Sequence, residues 1–138
     1  MRVFLDSDVV ISSLLSDRGA AFFLVNSNSV KNIISSLSKK ELLLAAKRMS
    51  IKETTLLNLI NSRFEIVKLE GLDIVKNKYD TYVFDPDDAH IVAGAKEAKA
   101  DFLITYNIKD YNIEKIKSDF GVIVLTPGHL LQYLRSKE

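Results

Sequence analysis

Four stretches far apart in the chain each carry a carboxylate, or its amide analogue, where a strand gives way to a helix. They are Asp6 in VFLDSDVV, Glu41 in SLSKKELL, Asp88 in FDPDDAHI, and Asn107 with Asp110 in ITYNIKDY. Carboxylates and waters are what a hard divalent cation such as Mg²⁺ or Mn²⁺ takes as ligands. The chain has no cysteine, so thiolate metal sites and disulfides are excluded. Plainer roles compete for the same residues. Ser38-Lys39-Lys40-Glu41 has the spacing of a capping box, with Glu41 reaching back to a free backbone N–H. Asp85-Pro86-Asp87-Asp88 has it too, with Asp85 as cap and Pro86 in the first turn. Asp6 is harder to read this way. It ends an apolar run, and burying a charge without a partner is costly.

The elements that must position these residues are legible in outline. Val3 to Leu5 reads as a buried strand ended by Asp6, and DVVISSLLS reads as a helix after it. A short helix is expected over Ala20 to Val25, a turn at Asn26 to Ser29, and a strand over Asn32 to Ser35. An amphipathic helix opens near Ser38, and another covers Lys52 to Asn61. Phe64 to Leu69 is strand-like. A helix begins at Pro86 or Asp87, strands follow over Phe102 to Thr105 and Val122 to Leu125, and Thr126 with Pro127 opens a closing helix. Strands alternating with helices imply a mostly parallel sheet covered on both faces, an α/β/α sandwich. Such sheets place ligand sites at the carboxyl ends of their strands, which is where the acids fall.

Composition narrows the classes. The chain has 138 residues, 47% of them apolar, and a net charge of +1. That suits one globular domain over residues 1–138 and excludes disorder. A polyelectrolyte binder is excluded as well, so any grip on nucleic acid must come from local lysines such as Lys39, Lys40 and Lys109. No apolar run approaches the roughly 18 residues of a membrane span. An aspartate at position 6 argues against a secretory leader, so a cytoplasmic protein with no membrane partner is expected. There is no glycine-rich phosphate loop. His90 lies two residues from Asp88, a spacing that points the two side chains apart on a helix, and neither it nor His129 is expected to be catalytic.

Taken together, these motifs resemble the PIN-domain family, especially its VapC-like toxins. MRVFLDSDVVISSLL is similar to the family's opening, a strand ended by Asp and followed two residues on by Asn or Asp, here Asp6 and Asp8. IISSLSKKELL resembles the second motif, with Glu41. DPDDAHIVAGAKEAKADFLITYNIKDY resembles the third and fourth, with Asp88, Thr105, Asn107 and Asp110. The chain departs from many members by carrying Asn107 where they have Asp, and TYNIKDY is close to a Thr-x-Asn-x-x-Asp-Phe form. The resemblance implies a Mg²⁺- or Mn²⁺-dependent endoribonuclease. Asp6, Glu41, Asp88 and Asp110 would be its metal-binding carboxylates, with Thr105 and Asn107 assisting. It also implies an RNA substrate, an antitoxin protein partner and a homodimer. Two other readings stand beside it. VFLDSDVVI is similar to the Asp-x-Asp motif of haloacid dehalogenase-type phosphatases, with Asp6 as nucleophile. A degenerate PIN fold that only binds RNA or protein is the other.

Overall fold

The computed structural model describes residues 1–137. Its frame is a five-stranded sheet in the order β3-β2-β1-β4-β5. The strands are β1 Arg2–Leu5, β2 Lys31–Ser35, β3 Phe64–Val67, β4 Phe102–Ile104 and β5 Ile123–Leu125. Every neighbouring pair runs parallel, with Leu5 beside Ile104 and Ser35 beside Val67. The sheet is thus wholly parallel.

A parallel sheet must be covered on both faces, and residue alternation along β1 shows how. Val3 and Leu5 join one buried cluster with Ile34, Phe102 and Ile104. Helices α1 Ser7–Leu15, α2 Ala20–Val25, α3 Ser36–Arg48, α4 Glu53–Arg63 and α8 Pro127–Ser136 supply the rest of that layer. Phe4, on the other face, packs with Ile33, Leu103 and Val124 under α5 Leu72–Tyr79, α6 Ala89–Glu97 and α7 Ile113–Phe120. Gly94 of α6 lies directly over the Phe4 ring, where a Cβ would collide with it. The close seating of α6 on β1 therefore depends on a glycine.

Chain order reverses around β1: β2 follows on one side, and β4 lies on the other. Such a reversal leaves a crevice beyond the strand ends, where ligands of open α/β sheets bind. Asp6 stands there, directly after β1 and at the cap of α1.

Several boundaries differ from those expected. The β2–α3 junction is tighter, because Ser35 and not Ser38 is the N-cap. Ser38 is fully buried and donates its backbone N–H to Ser35 Oγ at 3.0 Å. Glu41 consequently sits in the second turn of α3, not the first, and is no capping-box partner. The strand expected to reach Leu69 ends at Val67. Helices α5 and α7 are additions to the sequence reading. Among the described residues no helix is long and apolar enough to cross a membrane.

Candidate metal and phosphodiester site

The three neighbouring aspartates before α6 divide their work. Asp85 caps the 3-10 turn Pro86–Asp88, accepting the Asp87 N–H at 3.0 Å. Asp87 turns outward to Lys76 at 2.7 Å, and that ammonium holds its carboxyl below the usual range. Only Asp88 faces the crevice. Burial raises it to about 6, with further pressure from Asp6, Asp85 and Asp110.

Asp6 is the most heavily bonded of the acids. Its Oδ1 accepts the Ser7 N–H at 2.7 Å. Its Oδ2 accepts both the Thr105 hydroxyl at 2.9 Å and the Tyr111 hydroxyl at 3.0 Å. Burial pushes the Asp6 carboxyl up, and those donors pull it back down by stabilising the anion. Oδ2 has no lone pair left, while Oδ1 keeps one. Tyr111 is itself buried, and burial beside Asp6 and Asp88 holds its hydroxyl protonated, so it acts as a donor.

Asp8, in the first turn of α1, accepts the Asn107 amide N–H on Oδ2 at 3.0 Å. Its Oδ1 is buried with no hydrogen-bond partner. Burial, and then the Asp6 charge, raise this carboxyl to about 7. An orphaned carboxylate oxygen beside other acids is an arrangement that a cation would relieve. Asn107 also donates its backbone N–H to Thr105 Oγ1 at 3.0 Å, so the segment after β4 ties Asp8 and Asp6 together. The link between Asn107 and Asp110 runs through the backbone, Asp110 N–H to Asn107 C=O at 3.0 Å.

Glu41 approaches from α3. It accepts the N–H of His90 Nε2 at 3.2 Å, and this bond lowers its pKa. His90 is buried in α6, and its Nδ1 has no partner. The spacing argument had set His90 aside. It does point away from Asp88, but toward another of the acids.

The fold thus gathers Asp6, Asp8 and Asp88 into electrostatic range of one another, with Asp110 near enough to act on Asp88 and Glu41 on Asp6. Among the described residues, no three His, Asp or Glu side chains are placed to hold a metal ion as they stand. The donor chemistry still fits Mg²⁺ or Mn²⁺. These are hard ions, and Mg²⁺ keeps several waters and needs only one or two carboxylates. A preformed cage is not required. Tyr111 goes unnamed in the sequence reading, which considers His90 only as a catalytic residue, without its contact to Glu41. Tyr111 carried a signal: it adds a hydroxyl where the resembled motif has Phe.

Comparison with known proteins decides the family. The family model for the PIN domain matches residues 2–109. The chain belongs to the PIN-domain family. A search of curated proteins finds no match. Solved structures share the PIN fold at low identity. A chain of VapBC2 from Rickettsia felis, bound to a DNA fragment from its promoter, aligns with TM-score 0.66 and 19% identity, covering 91% of this chain and 98% of that one. A toxin–antitoxin complex from Klebsiella pneumoniae gives TM-score 0.65 and 24% identity over 91% of this chain and 97% of that one. DNA-bound VapBC from Salmonella typhimurium gives 0.59 and 17% over 92% and 98%. The haloacid dehalogenase-type reading of VFLDSDVVI gives way to this family assignment.

Proposed function

We propose that this PIN-domain chain is an endoribonuclease, dependent on Mg²⁺ or Mn²⁺, with one nuclease domain over residues 1–138. One observation carries the reading. Carboxylates from separate segments are buried together at the carboxyl edge of the sheet, where burial first and the neighbouring Asp6 charge next raise Asp8 to about 7 and Asp88 to about 6. Carboxyls buried beside one another cost stability, and such clusters gather at functional sites.

Asp6, Asp8, Asp88 and Asp110 would hold the ion, with Glu41 joining directly or through water. When bound, the ion would activate a water and neutralise charge on a phosphodiester. The remaining roles belong to the chain. Thr105 and Tyr111 oppose the effect of burial by favouring the Asp6 anion, and they fix its rotamer. Asn107 fixes the rotamer of Asp8 through its amide hydrogen bond. His90 holds Glu41 at the rim. Lys40 and Lys109, both exposed, are available to phosphates.

The biological role we propose is the toxin half of a toxin–antitoxin pair, acting in the cytoplasm and paired as a homodimer. Toxin–antitoxin complexes among the structural relatives support it. A groove of about 470 Å³ beside the site, lined by Leu37, Glu41, Leu44, Leu72 and His90, also supports a protein partner.

The test is cleavage of mixed RNA by the purified chain. Cleavage should require Mg²⁺ or Mn²⁺, stop in EDTA, and fall at least a hundredfold in Asp6→Asn. RNA bound but uncut at millimolar metal would favour the degenerate, binding-only reading. RNA neither bound nor cut would remove the nuclease assignment.

A further inference from the structure

Phe84 is exposed at 74%, more than any other large apolar side chain among the described residues. An isolated exposed apolar residue needs no explanation, but its place here is unusual. Its backbone is pinned on both sides. The Phe84 N–H donates to the Asp110 carbonyl at 3.0 Å, and an antiparallel bridge joins Val83 to Tyr111. Asp85, next along, caps the turn that carries Asp88. Side chains alternate across such a bridge. Val83 and Tyr111 are buried and face inward, so Phe84 and Asp110 share the outer face. Asp110 lies close enough to Asp88 to raise its pKa. The ring is therefore held open to solvent beside the carboxylates.

A second ring stands on the α1 flank. Tyr106, 45% exposed, follows Thr105 directly. Its hydroxyl shares a hydrogen bond of 3.1 Å with Ser12, which lies one helical turn from Asp8 on the same face of α1. Two rigidly placed aromatic faces thus border the acids. Beyond Lys40 and Lys109, the surface near the acids offers RNA little positive charge. The chain has a net charge of +1, and its acidic edge repels phosphate. Counterion release, the usual source of affinity for nucleic acid, is correspondingly small. Stacking of bases on aromatic rings supplies affinity without positive charge, at roughly 1–3 kcal/mol per base. Bases inside a duplex are already stacked and cannot reach such a ring.

Resting on the ribonuclease reading above, we infer that Phe84 and Tyr106 are stacking platforms for unpaired nucleobases flanking the cleaved phosphodiester. Their contribution to affinity is confined to bases that are not already stacked in a duplex.

The test uses the full chain carrying Asp6→Asn, so that RNA stays intact. A single-stranded RNA containing 2-aminopurine is titrated, and then the same strand annealed to its complement. Binding should quench the fluorescence of the single strand. Phe84→Leu, which keeps bulk and apolarity but removes the π face, should weaken single-strand binding about tenfold. Phe84→Trp should restore it, and duplex binding should be equal in all three. Tyr106→Leu should act in the same direction. Equal single-strand binding by the Leu and Phe forms overturns the platform and leaves the ring to a protein partner. Failure of Trp to restore binding, or no binding of either RNA, overturns it as well. The nuclease reading is judged separately: metal-dependent cleavage by the wild-type chain that is indifferent to Phe84 sinks only the platform.

Discussion

Replacing Asp8 by Asn should stabilise the metal-free protein at alkaline pH, although it removes a hydrogen-bonded side chain. The Asp8 carboxyl is raised to about 7 in the fold, by burial first and by Asp6 next. A carboxyl with a raised folded pKa costs stability as pH increases. Below its unfolded value of about 4 both states hold the proton and nothing is lost. Between about 4 and 7 the unfolded chain releases the proton and the folded one keeps it, so the penalty grows and then levels off. Three pKa units correspond to about 4 kcal/mol, and solvent screening of this half-buried side chain reduces that to about 1–2 kcal/mol. Against it stands the acid's favourable place in the first turn of α1, worth about 0.3–1 kcal/mol. Asn keeps an oxygen to accept from Asn107. The net gain at pH 8 is about 1 kcal/mol, or roughly 3–5 °C in melting temperature for a chain of this size. Thermal melts in EDTA at pH 4 and pH 8 provide the assay. The variant should melt higher at pH 8 and within a degree of wild type at pH 4. A variant that melts lower at pH 8, or one whose pH profile parallels that of wild type, would refute the claim that Asp8 is held under repulsion.

Two further outcomes follow from the geometry. Tyr111→Phe removes a buried donor to a charged acceptor, an interaction worth about 1.5–3 kcal/mol, so single-turnover RNA cleavage should slow tenfold or more with little change in KM; unchanged turnover would make the hydroxyl incidental. Gly94→Ala drives a methyl into the Phe4 ring and should lower stability by about 1–3 kcal/mol in urea melts, whereas a neutral result would mean that α6 sits less tightly on β1 than described.

The sequence reading succeeded where one residue's chemistry was decided locally. An acid ending the apolar run Val3–Leu5 had to be partly buried, and Asp6 is. Thr126 and Pro127 open α8 as their types require, with Thr126 accepting the His129 N–H. It failed where the deciding contact lay far along the chain. Ser35 and Ser38 are equally good caps on paper and both are fully buried; Ser35 is the cap because β2 runs up to it and its hydroxyl accepts the Ser38 N–H. That choice moved Glu41 off the first turn. His90 meets Glu41 across 49 positions, and no local spacing announces it. Asp87 and Asp88 are adjacent and identical, yet Lys76 takes one and the crevice the other. Helix α7 did leave a pattern, with Ile113, Ile116 and Phe120 on one face and Gly121 at φ 69° as its left-handed stop. Helix α5 buries only Val75 and Tyr79, too thin a stripe to read.

The account rests on acids that converge to hold one kind of ion, and direct titration of Mn²⁺ followed by electron paramagnetic resonance tests this without RNA or activity. Wild-type protein at pH 7.5 should remove free Mn²⁺ signal with a dissociation constant in the micromolar to millimolar range. Asp6→Asn and Asp88→Asn, both still folded by circular dichroism, should leave that signal nearly untouched. Undiminished Mn²⁺ uptake by both variants, or none by wild type at millimolar ion, would contradict the central claim.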